Sequence, residues 1–302
     1  MRVVSLIASA TEIVYALDLG HTLVARSHEC DHPPSVLGLP AVTAPKFPTD
    51  GTSYEIDQRV KAILAEGLSV YRVDPVALAA ARPEVVLTQV QCEVCAVSLR
   101  DVEEALVEIA GGRPRLVALE PMRLDDVWRD MRLVADALDV PARGVALVNA
   151  LQARLTAICA RAAGLARPRV ATVEWIEPLM AGGNWMPELV ALAGGENLFG
   201  AVGQHSEVLS WERFAASDPD VICVLPCGWG VAKARTELAA LERQPGWSQL
   251  RAVATGRVFL LDGNRYFNRP GPRLVESVEI LAELLHPDRF HFGHEGDGWE
   301  RR

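Results

Sequence analysis

The chain has 302 residues, half of them hydrophobic, and a formal net charge of −9 at pH 7. That length exceeds what one core usually encloses, so two lobes are expected. The acidic balance, with no run of Lys or Arg, removes the electrostatic footprint needed to bind nucleic-acid phosphates or anionic lipid, which leaves a small molecule or another protein as partner.

From the N-terminus, residues 2–6 read as a strand, Ser9 or Thr11 as the cap of a short helix reaching Leu17, and 23–26 as the next strand. Ala8-Ser9-Ala10 imitates a signal-peptidase site. One Arg and so few apolar residues before it do not make an n-region plus an h-region, and Glu12 follows at once, so a strand is expected there and not a leader. No stretch approaches the ~18 continuous apolar residues of a membrane span, and no Cys follows a hydrophobic leader as a lipid anchor, so the expected location is cytoplasmic.

Residues 54–66 are helical by period, and Asp74 followed by Pro75 caps a helix over 76–82. A strand at 85–88, a helix at 97–110 and a strand at 115–119 follow. Short apolar strands alternating with helices predict an α/β fold with a parallel sheet covered on both faces. Residues 124–163 are helical throughout, broken only near 139–141, and the piece 142–163 would span roughly 33 Å, long enough for a rigid spine. The alternation then resumes: strand 169–175, helix 187–193, strand 221–225, helix 232–241, strand 257–261, helix 270–285. The predicted division is an N-terminal lobe 1–121, a helical linker 122–166 and a C-terminal lobe 167–302.

The halves resemble each other locally. Arg82-Pro83-Glu84 precedes the apolar strand before Cys92, and Asp218-Pro219-Asp220 precedes the apolar strand before Cys227. Two copies fit a duplicated lobe better than a solenoid.

Parallel sheets bind ligands beyond the carboxyl ends of their strands. The loops at those ends carry Ser9, His28-Glu29-Cys30 and Gln89 to Cys95 in the first half. In the second they carry Trp175, Asn184-Trp185, Cys227-Gly228-Trp229 and Asn264 to Arg269. The six cysteines are not expected to form a disulfide framework in a reducing compartment. Cys92-x-x-Cys95 has zinc-knuckle spacing, but its second pair is missing, since Cys223 to Cys227 is Cys-x3-Cys with Cys223 inside a strand. A thiolate pair near a helix start also suits redox chemistry. Ligand contact and plain burial remain open beside these readings. Cys159 and Cys223 are assigned to the core. Phosphate-binding loops, dinucleotide fingerprints, nucleophile elbows and His-Glu-x-x-His are absent, which lowers the expectation of hydrolysis or phosphoryl transfer.

The opening Val3-Val4-Ser5-Leu6 with Ala8-Ser9-Ala10-Thr11-Glu12, Asp31-His32-Pro33-Pro34, the midpoint helix, Gly194-Gly195-Glu196-Asn197 and Tyr266-Phe267-Asn268-Arg269-Pro270-Gly271-Pro272-Arg273 resemble the helical-spine class (class III) of ABC-type substrate-binding proteins. Within it they look most like the vitamin B12-binding members. The resemblance covers nearly the whole chain and implies two Rossmann-like lobes joined by the spine helix, with a metal chelate in the cleft between them. Exported members begin with a signal peptide and pass cargo to a membrane permease, so a cytoplasmic form counts against a permease partner.

The resemblance maps ligand contacts to Ser9, His28, Glu29, Gln91, His205 and the turn Tyr266, Phe267, Asn268 and Arg269. Of Trp175, Trp185 and Trp229, two are expected to stack on a planar ligand such as a corrin. His28, and after it His205, are candidate axial ligands, while His286, His291 and His294 are expected in a solvated tail. With the lobes facing each other, Cys30, Cys92 and Cys95 would lie on one wall and Cys227 on the other, where thiolates suit zinc or an iron–sulfur cluster. The leading expectation is a binding protein for cobalamin or a related corrinoid. The alternatives are a thiolate-bound metal or cluster in a redox or cofactor-handling protein, and a siderophore or haem binder on the same fold.

Overall fold

The computed structural model describes residues 1–91, 99–107 and 114–302. The chain divides into two compact units, one of residues 1–51, 58–121 and 125–150, the other of residues 52–57, 122–124 and 151–302.

The first unit is built on strands β1 (Val3–Ser5), β2 (Leu23–Arg26), β3 (Thr43–Pro45), β4 (Tyr71–Val73), β5 (Val85–Gln89) and β6 (Arg115–Leu119). Its helices are α1 (Ala8–Ala16), α2 (Ser53–Ala65), whose first residues group with the second unit, α3 (Pro75–Ala81), α4 (Leu99–Val107) and α5 (Leu124–Ala137). Four strands form a parallel sheet in the order β2-β1-β5-β6, while β3 and β4 make a separate antiparallel pair. Both central strands are buried along their whole length, as a sheet covered on both faces requires.

The second unit carries β7 (Arg169–Trp175), β8 (Met180–Ala181), β9 (Glu196–Asn197), β10 (Val221–Val224), β11 (Val258–Leu261) and β12 (Trp299–Arg301). Between them lie α7 (Met186–Leu192), α8 (Trp211–Ser217), α9 (Val231–Glu242), α10 (Arg251–Ala254) and α11 (Leu274–Leu285). The sheet runs β12-β11-β10-β7-β8 with β9 also on β7; β7, β10 and β11 are parallel, and β12 closes the edge antiparallel to β11. The 22-residue α6 (Pro141–Ala162) is the expected spine, and the division of the chain falls inside it, between Ala150 and Leu151.

Several local expectations hold for the stated reason. The Asp74 carboxylate accepts the Ala77 N–H at 2.9 Å, and Pro75 opens α3. The cap of α1 is different from the one expected. Ile7 already has extended dihedrals and starts the helix at Ala8, so Ser9 and Thr11 lie inside it, and the Thr11 hydroxyl donates to Cys30 Sγ at 3.0 Å. Cys159 is exposed and not in the core. On α6 the buried stripe runs through Val148, Leu151, Leu155, Ile158 and Ala162, and Cys159 sits one residue off it.

The tail is also not the solvated segment expected. Glu283 of α11 accepts the backbone N–H of Phe292, Gly293 and His294 together with Trp299 Nε1. His294 Nε2 lies 3.1 Å from Glu279, and His286 is buried; His291 alone of the three is exposed.

The repeated segments prove to be one device used twice. Arg82 and Asp218 are left-handed C-caps, with φ of 43° and 40°, ending α3 and α8. The Arg2 guanidinium donates to the carbonyls of Ala81 and Arg82, and that of Arg169 to those of Ser217 and Asp218. In return Glu84 accepts the Arg2 N–H, and Asp220 accepts the Arg169 N–H at 2.8 Å. The acid after each proline thus holds the residue that leads into the neighbouring strand, β1 in one unit and β7 in the other.

Asp220 also pairs with Arg251 at 2.8 Å. Burial alone would push its carboxyl up, but the Arg169 N–H and the Arg251 guanidinium outweigh it and hold it below the usual range near 3.8. A depressed folded-state value contributes stability that is present above the unfolded value and is lost as pH falls through the folded one. Asp220→Ala is expected to cost about 1–3 kcal/mol at neutral pH. In urea titrations the gap to wild type should shrink once the pH drops below 3.8.

Candidate functional site

In the first unit, the residues at the carboxyl ends of β1, β2 and β5 present oxygen and nitrogen groups in distinct states. Ser9 is 1 % exposed and its hydroxyl has no hydrogen-bond partner among the described residues. Gln89, at the end of β5, donates its amide to Gln91 Oε1 at 3.0 Å. Gln91 is half-buried.

His28 follows β2 and is held from two sides. Its Nδ1 lies 2.7 Å from Thr43 Oγ1, which also accepts the His28 N–H, and its ring meets Tyr71 at 5.1 Å between centroids. Burial, and secondarily the Arg26 charge, push its pKa down, so the imidazole is held neutral. With Nδ1 engaged, Nε2 is the nitrogen left for a ligand or metal, lying 4.0 Å from Glu29 Oε1. Glu29 itself accepts the Tyr71 hydroxyl at 3.3 Å.

Cys30 does not present its thiol. It is fully enclosed beside Ala8 and Val36, and its sulfur accepts the Thr11 hydroxyl. This is the environment of a packing cysteine. Cys92 and Cys95 lie outside the described residues. Cys227, in the second unit, is partly exposed, whereas Cys223 is fully buried and its thiol is pushed up to about 12 by that burial. Among the described residues no group of three His, Cys, Asp or Glu side chains converges as a metal cluster would.

In the second unit the ends of β7, β10 and β11 are bound together by close backbone packing. Gly263 lies against the carbonyl oxygens of Leu225 and Pro226, where a Cβ would strike both. Asn268 donates its amide to the Leu225 and Gly263 carbonyls at 3.0 and 3.1 Å. Phe267 is fully buried and its carbonyl accepts Trp185 Nε1 at 2.9 Å. Tyr266 donates its hydroxyl to Asp297 at 2.9 Å, and Arg269, also buried, donates to Asn264 at 2.9 Å. Much of the expected Tyr-Phe-Asn-Arg contact surface therefore fixes its own turn.

Trp175 and Trp229 come together with ring centroids 5.1 Å apart and an interplanar angle of 51°. Trp175 is partly exposed, with Nε1 donating to the carbonyls of Ser53 and Glu177. The Lys233 ammonium lies 4.3 Å from the Trp229 ring centre. Trp185 stands apart from this pair, buried against the Phe267 backbone.

His205 is exposed on a loop laid against Gly183, where a Cβ would come within 2.7 Å of the backbone of residues 204–206. Asn184, at φ 53°, donates its N–H to the Gln204 carbonyl, and Gly203 donates to that of Asn184. The loop delivers Ser206 to Glu174, whose carboxylate accepts the Ser206 hydroxyl at 2.8 Å and the Gly183 N–H at 3.3 Å.

Sequence reasoning passed over Glu174. Its signal was an acid near the end of an apolar strand, next to Trp175. Burial pushes its carboxyl up, against the pull of those two hydrogen bonds.

Residues 3–264 match the family model for periplasmic binding proteins. An uncharacterized ABC transporter substrate-binding lipoprotein of Bacillus subtilis (strain 168) is 24% identical over 298 residues, covering 96% of this chain and 81% of that protein. The vitamin B12-binding protein of Vibrio vulnificus (strain CMCP6) is 24% identical over 289 residues, 93% of this chain and 89% of that protein. Among solved structures, the periplasmic heme-binding protein from Roseiflexus sp. RS-1 in apo form superposes with a TM-score of 0.71 at 23% identity, covering 95% of this chain and 98% of that one. The last likeness is one of fold.

Gly183→Ala is expected to push the 204–206 backbone away, break the Ser206 bond to Glu174 and cost about 1–3 kcal/mol. Urea unfolding measures the cost, and tryptophan emission near Trp175 and Trp185 reports the local shift.

Proposed function

The chain belongs to the periplasmic binding protein family, and on that premise we propose that it binds a flat metal chelate of the corrinoid class. The observation that carries this reading is the Trp175–Trp229 pair at the ends of β7 and β10. Two large rings on adjacent strand ends, one of them partly exposed, give a planar apolar ligand contact area. The vitamin B12-binding relative, matched along nearly all of this chain, supports the same ligand class.

Within the first unit, His28 by itself suits a metal. A neutral imidazole oriented through Nδ1 and offering Nε2 has the properties of an axial ligand to cobalt or iron. The same histidine, together with the heme-binding structural relative, favours haem as the second reading. The alternative of a thiolate-bound metal loses Cys30, which is withdrawn into the core.

Titration of the purified protein with hydroxocobalamin is expected to shift the corrinoid absorbance and quench tryptophan emission. Trp229→Ala should weaken binding about tenfold, and His28→Gln should alter the spectrum of the bound metal. Haemin retained through a desalting column with no response to hydroxocobalamin would replace the corrinoid by haem. Zinc or iron present as purified and lost on Cys92→Ser with Cys95→Ser would favour the thiolate reading.

A further inference from the structure

We propose that the segment after α11 is a strap that sets the Tyr266 turn at the carboxyl end of β11, and that the His294–Glu279 ion pair makes its hold proton-dependent. The inference concerns the second unit alone and stands whichever ligand the protein takes.

The strap meets the turn through main chain, side chain and packing. The Gly298 carbonyl accepts the Asp262 N–H at 2.9 Å, where β11 gives way to the turn. Asp297 accepts the Tyr266 hydroxyl at 2.9 Å on one oxygen and the Arg265 guanidinium at 2.6 Å on the other. Gly298 packs so closely that a Cβ there would strike Ile280 of α11 and crowd the Tyr266 ring. The turn is therefore held at its entry and at its outer ring by residues far later in the chain.

The strap is itself anchored on α11. Glu283 gathers the N–H groups of Phe292, Gly293 and His294. The His294 carbonyl then accepts the N–H of Asp297 and Gly298 at 3.2 and 2.8 Å, so whatever fixes His294 also fixes the loop that carries Asp297. Its ring is fixed by Glu279, 3.1 Å from Nε2, and meets the Tyr266 ring edge-on at 6.0 Å between centroids. The charged groups around it are Glu276, Glu279 and Glu283 of α11, Arg154 of α6, which bonds Glu276 and Glu279, Arg265 and Arg273 over the Tyr266 ring, and Asp297 of the strap.

The Glu279 bond outweighs burial and pushes the His294 pKa up from the ordinary 6.5. A proton on His294 thus adds a contribution to the hold that is fully present below 6.5 and is lost as pH rises through the higher folded value. Across that window the other partners keep their charge. Glu279, where the His294 and Arg154 bonds outweigh burial, and Asp297, beside Arg265, lie below their ordinary values, and burial pushes Tyr266 up to about 12.

The test is hydrogen–deuterium exchange of the full chain, read by mass spectrometry at about pH 6 and about pH 8.5 and corrected for the intrinsic pH dependence of amide exchange. In wild type, peptides covering 262–268 and 292–299 are expected to lose protection about threefold or more at the higher pH, while those covering β10 keep theirs. His294→Gln can still donate to Glu279 but cannot take a proton, so the pH dependence of both peptides should vanish. Asp297→Ala should speed exchange in the turn at both pH values and leave the pH dependence at 292–294 in place, because it cuts the strap from the turn and spares the anchor. Protection at 262–268 that ignores pH in wild type, or that still follows it in His294→Gln, overturns the proton dependence. A turn that exchanges at the wild-type rate in Asp297→Ala with native circular dichroism overturns the strap. The wild-type comparison needs no variant, so it decides the proton dependence even where a substitution prevents folding.

Discussion

The geometry of both units depends on a clasp made at the amino ends of their central strands. An arginine leading into one strand holds the last carbonyls of the helix before the next, and an acid two residues past that helix's cap holds the arginine's own N–H. The proline between cap and acid cannot continue the helix, and the left-handed cap turns the chain into the strand. Register follows directly: Val3 faces Val85 and Val170 faces Val221, each one residue beyond its clasp. A slip of one residue would move every side chain of the strand to the opposite face.

What is fixed at the amino ends decides what is presented at the carboxyl ends. In the second unit the register carries through β7 and β10 until the Cys227 N–H meets the Glu174 carbonyl, and this places Trp229 beside Trp175. In the first it brings the end of β5 alongside β1, where the Leu6 N–H bonds the Leu87 carbonyl just before Ser9 enters α1. The candidate side chains are thus carried at or just behind strand ends and not on long free loops, the placement that would hold a binding geometry most accurately.

The fold was legible in the sequence wherever local chemistry decides it. The apolar strands, the Asp74-Pro75 start and the break at Pro141 are short-range signals, and the duplicated Pro-acid segment turned out to be a working part of each unit. The expected two-lobed α/β architecture is the one found. Legibility failed where burial depends on contacts distant in the chain. Cys159 falls one residue off the buried stripe of α6, a difference that composition does not register. The tail looked solvated because its glycines and charges are common in loops, yet Glu283, far earlier on α11, gathers three of its N–H groups and the Trp299 indole. Edge strand β12 was likewise invisible, being specified by its partner β11.

The candidate site shows the same limit more sharply, because a motif does not tell which of its polar atoms are already used. Asn268, Arg269, Tyr266 and Trp185 have the residue types of ligand contacts, but their donors are engaged with Leu225, Asn264, Asp297 and Phe267. They make the turn rigid, and a rigid turn is what allows a few other groups to discriminate. Among the described residues, those are the groups whose chemistry is incompletely answered: the Trp175 and Trp229 rings and the Nε2 of His28. Indole rings suit many flat chelates and a neutral imidazole suits several metals, so neither residue type alone separates a corrinoid from a haem.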